Sequence, residues 1–133
     1  MQPPHSREIL VRDYSSDQGE GALALGPYNL RPLIQRQEQG STTAWRVRIE
    51  SGAKTPVSYH ARSEELYLVT AGNGTAWLGG KEFPLKTGTF LRLPPGTSHA
   101  FEAGPEGLEM LDIHTPGCWP DHDTFFVGAA PPA

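Results

Sequence analysis

The sequence carries a single cysteine, Cys118, among 133 residues. No internal disulfide can form, so a reducing, cytoplasmic compartment is the expected setting. No apolar run approaches the roughly 20 residues that cross a bilayer as a helix. The opening MQPPHSREIL lacks the apolar core of a secretory leader, and neither membrane nor export is expected. Positive charge is scarce and scattered. Eleven Lys and Arg stand against 15 Asp and Glu, for a net charge of −4. Arg31, Arg36, Arg46, Arg48 and Arg92 form no basic block, so no nucleic-acid partner is expected. Helical periodicity is also missing, because no segment holds a 3.6-residue apolar period for three turns. No G-x-S-x-G elbow, phosphate-binding loop or C-x-x-C pair is present, which disfavours serine hydrolysis and nucleoside triphosphate chemistry.

What the sequence does have is turns and short strands. Thirteen Pro and 15 Gly punctuate the chain without a period. Residues 43–50, TAWRVRIE, alternate, with Trp45, Val47 and Ile49 on one side and Arg46 and Arg48 on the other. ELYLVT follows, then AGNG, a hairpin signal because Gly and Asn tolerate positive φ. TAWLGG returns, and Gly79-Gly80 turns again. KEFPLK, TFLRL, HAFEA and LEMLDIH come next, each bounded by Gly or Pro. DQGEGALAL, residues 17–25, reads as either a short helix or a strand. Residues 1–7 and GAAPPA read as loose ends. Many strands at 8–12-residue spacing predict one all-β domain, a sandwich or barrel.

Against that frame the polar residues gain positions. Alternate residues of a strand share a face. Ser58 therefore sides with His60, Glu65 with Tyr67 and Val69, and His99 with Phe101 and Ala103. Two imidazoles and a carboxylate meeting inside a barrel suit Fe, Mn, Zn, Ni or Cu and leave coordination positions open. A histidine at a strand start is more often a satisfied polar residue than a ligand. The bland reading of Arg46 is an exposed strand residue. Glu64 points away from Glu65 and reads as solvated. Trp45 and Trp77 read as core. Asp121, His122 and Asp123 read as a capping turn, and Cys118 as incidental.

Two segments resemble the cupin superfamily. Its first motif is written G-x5-H-x-H-x3–4-E-x6-G, and here Gly52, Ser58, His60, Glu65 and Gly72 take those places. Its second is G-x5-P-x-G-x2-H-x3-N, met by Gly88, Pro94, Gly96 and His99, with Ala103 in place of Asn. Ser58 stands where the family has its first metal histidine. The stretch around Arg62–Glu65 also resembles the cupin domain of sugar-phosphate isomerase and guanylyltransferase enzymes, which replace that histidine with Gln.

The resemblance implies an all-β, small jelly-roll barrel of double-stranded β-helix topology, one domain over 1–133. Its core would lie at about 30–116, with an extension over 1–29 and a tail over 117–133. It implies one divalent transition metal on His60, Glu65 and His99. His114 and Tyr67 are candidate catalytic residues, and Ser58, Phe101 and Arg46 candidate pocket-lining residues, with the facing of His114 left open by the sequence. Gly72 and Gly96 are expected at tight turns between strands. The implied function is a metal-dependent enzyme acting on a small polar organic molecule, as dioxygenase, isomerase or lyase. The alternative is a non-catalytic module that binds or senses a sugar or acid with a degenerate metal site. A homodimer is the implied assembly.

Overall fold

The computed structural model describes residues 8–15 and 19–128. The loose ends expected over residues 1–7 and most of GAAPPA lie outside the described residues. The elements are β1 Leu23–Leu25, β2 Tyr28–Pro32, β3 Thr43–Ile49, β4 Val57–Tyr59, β5 Glu64–Leu78, β6 Lys81–Lys86, β7 Phe90–Leu93, β8 His99–Thr115 and β9 Phe125–Gly128, with a 3-10 turn at Arg36–Glu38. They form one curled antiparallel sheet in the order β1-β2-β3-β8-β4-β9, and β5 pairs with β6, β7 and β8. This is the all-β, jelly-roll architecture expected. The ambiguous 17–25 stretch ends as strand β1.

One expectation fails. Ala71-Gly72-Asn73-Gly74 is not a hairpin: the chain runs through it inside the 15-residue β5. HAFEA and LEMLDIH are likewise one strand, the 17-residue β8. The β5–β8 register shifts between Val69 and Ala71 and again between Gly72 and Gly74, so these glycines sit at bulges that bend paired strands. A Cβ on Gly72 would lie 2.1 Å from the Gly107 carbonyl oxygen, and one on Gly74 would lie 2.2 Å from that of Glu102. The backbones approach too closely here for any side chain. Gly79-Gly80 and Gly96 do reverse the chain, the latter with the Thr97 amide bonded to the Pro94 carbonyl at 3.2 Å.

Alternation and register together build the interior. Thr43, Trp45, Val47 and Ile49 of β3 face inward, as do Glu65, Tyr67 and Val69 of β5. Strand β8 lies between them and pairs His114 with Thr43 and Glu65, Asp112 with Trp45 and Tyr67, and Met110 with Val47 and Val69. The inner face therefore changes character by rows, polar at the Glu65 end and apolar toward Met110 and Leu108. Val47, Ile49, Val69, Phe101 and Met110 are each 1% exposed or less. Burial of each such side chain contributes about 1.5–3 kcal/mol, and that apolar half supports the polar one.

Candidate metal centre

Three segments bring the polar groups together. His60 follows β4, Glu65 is the second residue of β5, and His99 opens β8 just after the Pro94–Gly96 turn. Each histidine is turned by its outer nitrogen. Nδ1 of His60 lies 2.8 Å from the Asp123 carbonyl oxygen, and Nδ1 of His99 lies 3.2 Å from that of Thr97. A carbonyl only accepts, so both Nδ1 atoms carry protons and donate. In the neutral rings the lone pairs are on Nε2, and those atoms point inward.

They point at another acceptor. Glu65 Oε1 lies 3.3 Å from His60 Nε2 and 3.5 Å from His99 Nε2. Oε2 lies 2.9 Å from His114 Nε2. Yet neither carboxylate oxygen, both fully buried, has a hydrogen-bond partner. The Nε2 lone pairs of His60 and His99 facing a buried carboxylate call for a shared cation, either a proton or a metal ion. Nitrogen and carboxylate donors are the set that divalent transition metals take. The residues therefore fit the metal that the sequence motifs imply.

The electrostatics agree. Burial raises the Glu65 carboxyl, but the facing His99, His114 and His60 outweigh it and hold it well below the usual carboxylate range. Burial disfavours a charged His60, yet Cys118 and Glu65 lift it to about 11. Without a metal, that proton is the cation. Burial pulls His99 down. Burial and the Glu65 charge push Asp112 well above the carboxylate range. Burial, with the Asp112 and Glu65 carboxyls beside it, pushes the Tyr67 phenol well above its ordinary value.

Of the residues picked out in the sequence, His60, Glu65 and His99 meet. Ser58 joins them with Oγ 3.4 Å from His99 Nε2. Tyr67 and His114 line the same cavity, of about 60 Å³. His114 faces inward because its register partner is Glu65. Two placements differ. Arg46 lies between Trp45 and Val47, which line the cavity, so alternation turns it to the outer face. There it pairs with Glu109 at 2.6 Å. Phe101 is core, packed edge-on against Tyr67 at 5.0 Å between ring centres, and does not reach the cavity wall.

Asp112 goes unseen in the sequence, and Cys118 and Asp123, which read there as incidental and as a capping turn, have a place at the site. Asp112 lies 3.8 Å from His114 Nε2, and its signal was the shared parity in LEMLDIH. Cys118 is buried behind His60, with Sγ 3.3 Å from Nδ1. Asp123 latches the His60 loop. Its carboxylate accepts from the amides of Ala61 at 2.8 Å, Arg62 at 3.0 Å and Ser63 at 3.0 Å. No sequence signal links positions so far apart.

Comparison with known proteins places this geometry. The family model described as Cupin domain matches residues 45–114. A 51-residue stretch is 37% identical to Uncharacterized protein MJ1618 of Methanocaldococcus jannaschii, covering 38% of this chain and 41% of that protein. The match therefore spans less than half of that relative. Among solved structures, Streptomyces Pac13 with uridine superimposes with a TM-score of 0.71 at 22% identity, over 83% of this chain and 86% of the other. Pac13 is described as a unique nucleoside dehydratase. Ectoine synthase from P. lautus gives 0.72 at 15% identity over 93% and 94%. KdgF from Halomonas sp. gives 0.67 at 17% over 82% and 94%. At these identities the likeness shows the fold alone.

Proposed function

This chain belongs to the cupin family, and from that premise we propose that it is a metal-dependent enzyme acting on a small polar organic molecule. One divalent transition metal, Fe, Mn, Zn, Ni or Cu, is held by His60, Glu65 and His99. The observation that carries this reading is Glu65, whose two buried oxygens lack hydrogen bonds while imidazole nitrogens surround them. Such an ion supplies Lewis acidity, and iron would add redox chemistry.

The side chains around it define the substrate's chemistry. No Lys or Arg is among the described residues that line the cavity. An anionic substrate group therefore finds its positive partner only at the centre itself, and a multiply charged sugar phosphate is poorly served. A cavity of about 60 Å³ admits a reacting group of a few atoms. The rest of the substrate then lies outside it. The Tyr67 phenol and the Asp112 carboxyl both line the cavity, as hydrogen-bonding groups for a substrate oxygen. Trp45 and Trp119, edge to face at 4.8 Å, keep water from one wall. The lone, buried Cys118 suits a cytoplasmic setting, and the assembly proposed is a homodimer.

Metal content tests the reading directly. Protein purified without a metal-binding tag is expected to hold close to one equivalent by inductively coupled plasma mass spectrometry. His60→Ala and His99→Ala should each lose it while circular dichroism shows the fold intact. A wild-type protein that is empty and takes up none of the five metals would sink the proposal. The pocket would then be that of a small-ligand binding or sensing module.

A further inference from the structure

We propose that His114 is the fourth protein ligand of the metal, supplied from the end of β8. The proposal rests on the three-ligand reading and extends it. The ladder makes the first argument. Glu65 and His114 are direct partners in the β5–β8 register, and facing residues of an antiparallel pair hold their Cβ atoms about 4.5–5.5 Å apart on one face. Whatever ion Glu65 binds, His114 stands beside it.

Distances make the second. Two donors about 2.1 Å from one ion, at 90–109° to each other, lie roughly 3.0–3.4 Å apart. His114 Nε2 lies 3.3 Å from His60 Nε2, and Glu65 Oε1 lies 3.3 Å from the same nitrogen. His114 to Glu65 Oε2, at 2.9 Å, falls just under that window. His99 to Glu65 Oε1, at 3.5 Å, falls just over it. Each of these contacts lies at or near the spacing of neighbours around one centre. His114 Nε2 and Glu65 Oε2 are close enough to share a proton or to flank one ion.

The remaining feature is Ser58. It is buried at the edge of the same cluster and contributes a hydroxyl 3.4 Å from His99 Nε2. A hydroxyl is a poor ligand for these metals. On this geometry β4 gives the centre one imidazole, at the residue after its end, and β8 gives two, one from each end. His114 differs from the others in one respect. Its Nδ1 has no partner, so register and packing orient it rather than a carbonyl. An imidazole held that way is the more dispensable ligand.

The test counts imidazoles. Pulsed electron paramagnetic resonance of the Cu(II)-loaded wild type should show three coordinated imidazoles, and His114→Ala should show two. Zn(II) affinity, read by chelator competition, should fall about 10–100-fold in His114→Ala. Adding Ser58→His to His114→Ala should restore both the count and the affinity. A wild type with two imidazoles, or a His114→Ala protein with unchanged affinity, overturns this proposal and leaves the three-ligand reading standing. A wild type that binds no metal overturns both. Should His114→Ala fail to fold, the wild-type count alone decides.

Discussion

A carboxylate only 1% exposed needs compensating charge, and Glu65 draws it from imidazoles. Removing one member of a buried charged set costs about 3–5 kcal/mol. Glu65→Gln is therefore a poor probe, because loss of metal and loss of fold would arrive together. Asp123 separates them. It lies outside the cluster, at a positive φ of 65° that Asp tolerates better than most residues, and holds the backbone that carries His60. Asp123→Ala removes charged hydrogen bonds to three amides and should lower stability by about 1–3 kcal/mol. It should also weaken metal binding on the order of 10-fold, because the Asp123 carbonyl that orients His60 is then less well placed. Thermal melts and chelator competition read the two effects. A variant that melts lower yet binds metal as tightly as wild type would show that the loop does not aim His60. The latch also has a pH signature. Partial burial raises the Asp123 carboxyl, but the amides of Arg62, Ser63 and Ala61 outweigh it and hold it below 3.8. A depressed carboxyl contributes stability above its unfolded value and loses it as pH falls through the folded one. The latch is thus intact at neutral pH and fails only in strong acid.

Strands β5 and β8 set the register that pairs Glu65 with His114, and glycine decides whether that register holds. Gly72 and Gly79 both take positive φ, at 81° and 57°, and an added Cβ costs each roughly 1–2 kcal/mol. Their surroundings differ. The Cβ would meet nothing within 4 Å at Gly79, but the Gly107 carbonyl oxygen at 2.1 Å at Gly72. Gly79→Ala should therefore cost about 1–2 kcal/mol, and Gly72→Ala about 3 kcal/mol or more. Equal shifts in denaturant midpoint would mean that the strands part freely at the bulge. The same pair marks the limit of what the sequence made legible. Gly79-Gly80 and Ala71-Gly72-Asn73-Gly74 look alike in one dimension, yet one reverses the chain and the other lets two strands touch. The site was clearer. His60, Glu65 and His99 stood at motif spacings, and parity grouped each with its inward neighbours. The inward facing of His114 needed the β8 register, which the misread hairpin concealed. Asp123 acts across more than 60 positions through its side chain and backbone, and no local pattern records that.

At the scale of the whole molecule, the proposed homodimer needs a surface to form on. Phe90 of β7 lies directly opposite Leu68 of β5, and both side chains are exposed, Phe90 by 60%. The segment before β1 is pinned to the body at Arg12, at Tyr14 and at the Asp13 carbonyl, which accepts from Arg31. Arg12 bonds the Leu33 carbonyl and Glu38, and the Tyr14 hydroxyl bonds that of Thr70. Beside those pins, Ile9 and Val11 stand 91% and 90% exposed. Exposed apolar side chains paired across neighbouring strands, as Leu68 and Phe90 are, suit an interaction surface, and the partner proposed is a second copy. Light scattering should give twice the 14.5 kDa chain mass, and Leu68→Glu with Phe90→Glu should give the chain mass alone, with the melt little changed because neither side chain is core. A wild type that runs at the chain mass at every concentration would refute the dimer. The monomeric variant carries a second consequence. His60, Glu65, His99 and His114 all come from one chain, and neither Leu68 nor Phe90 lines the cavity they share. Dissociation should therefore leave metal content unchanged. A monomer that lost its metal would mean that the partner completes the centre or holds its register in place.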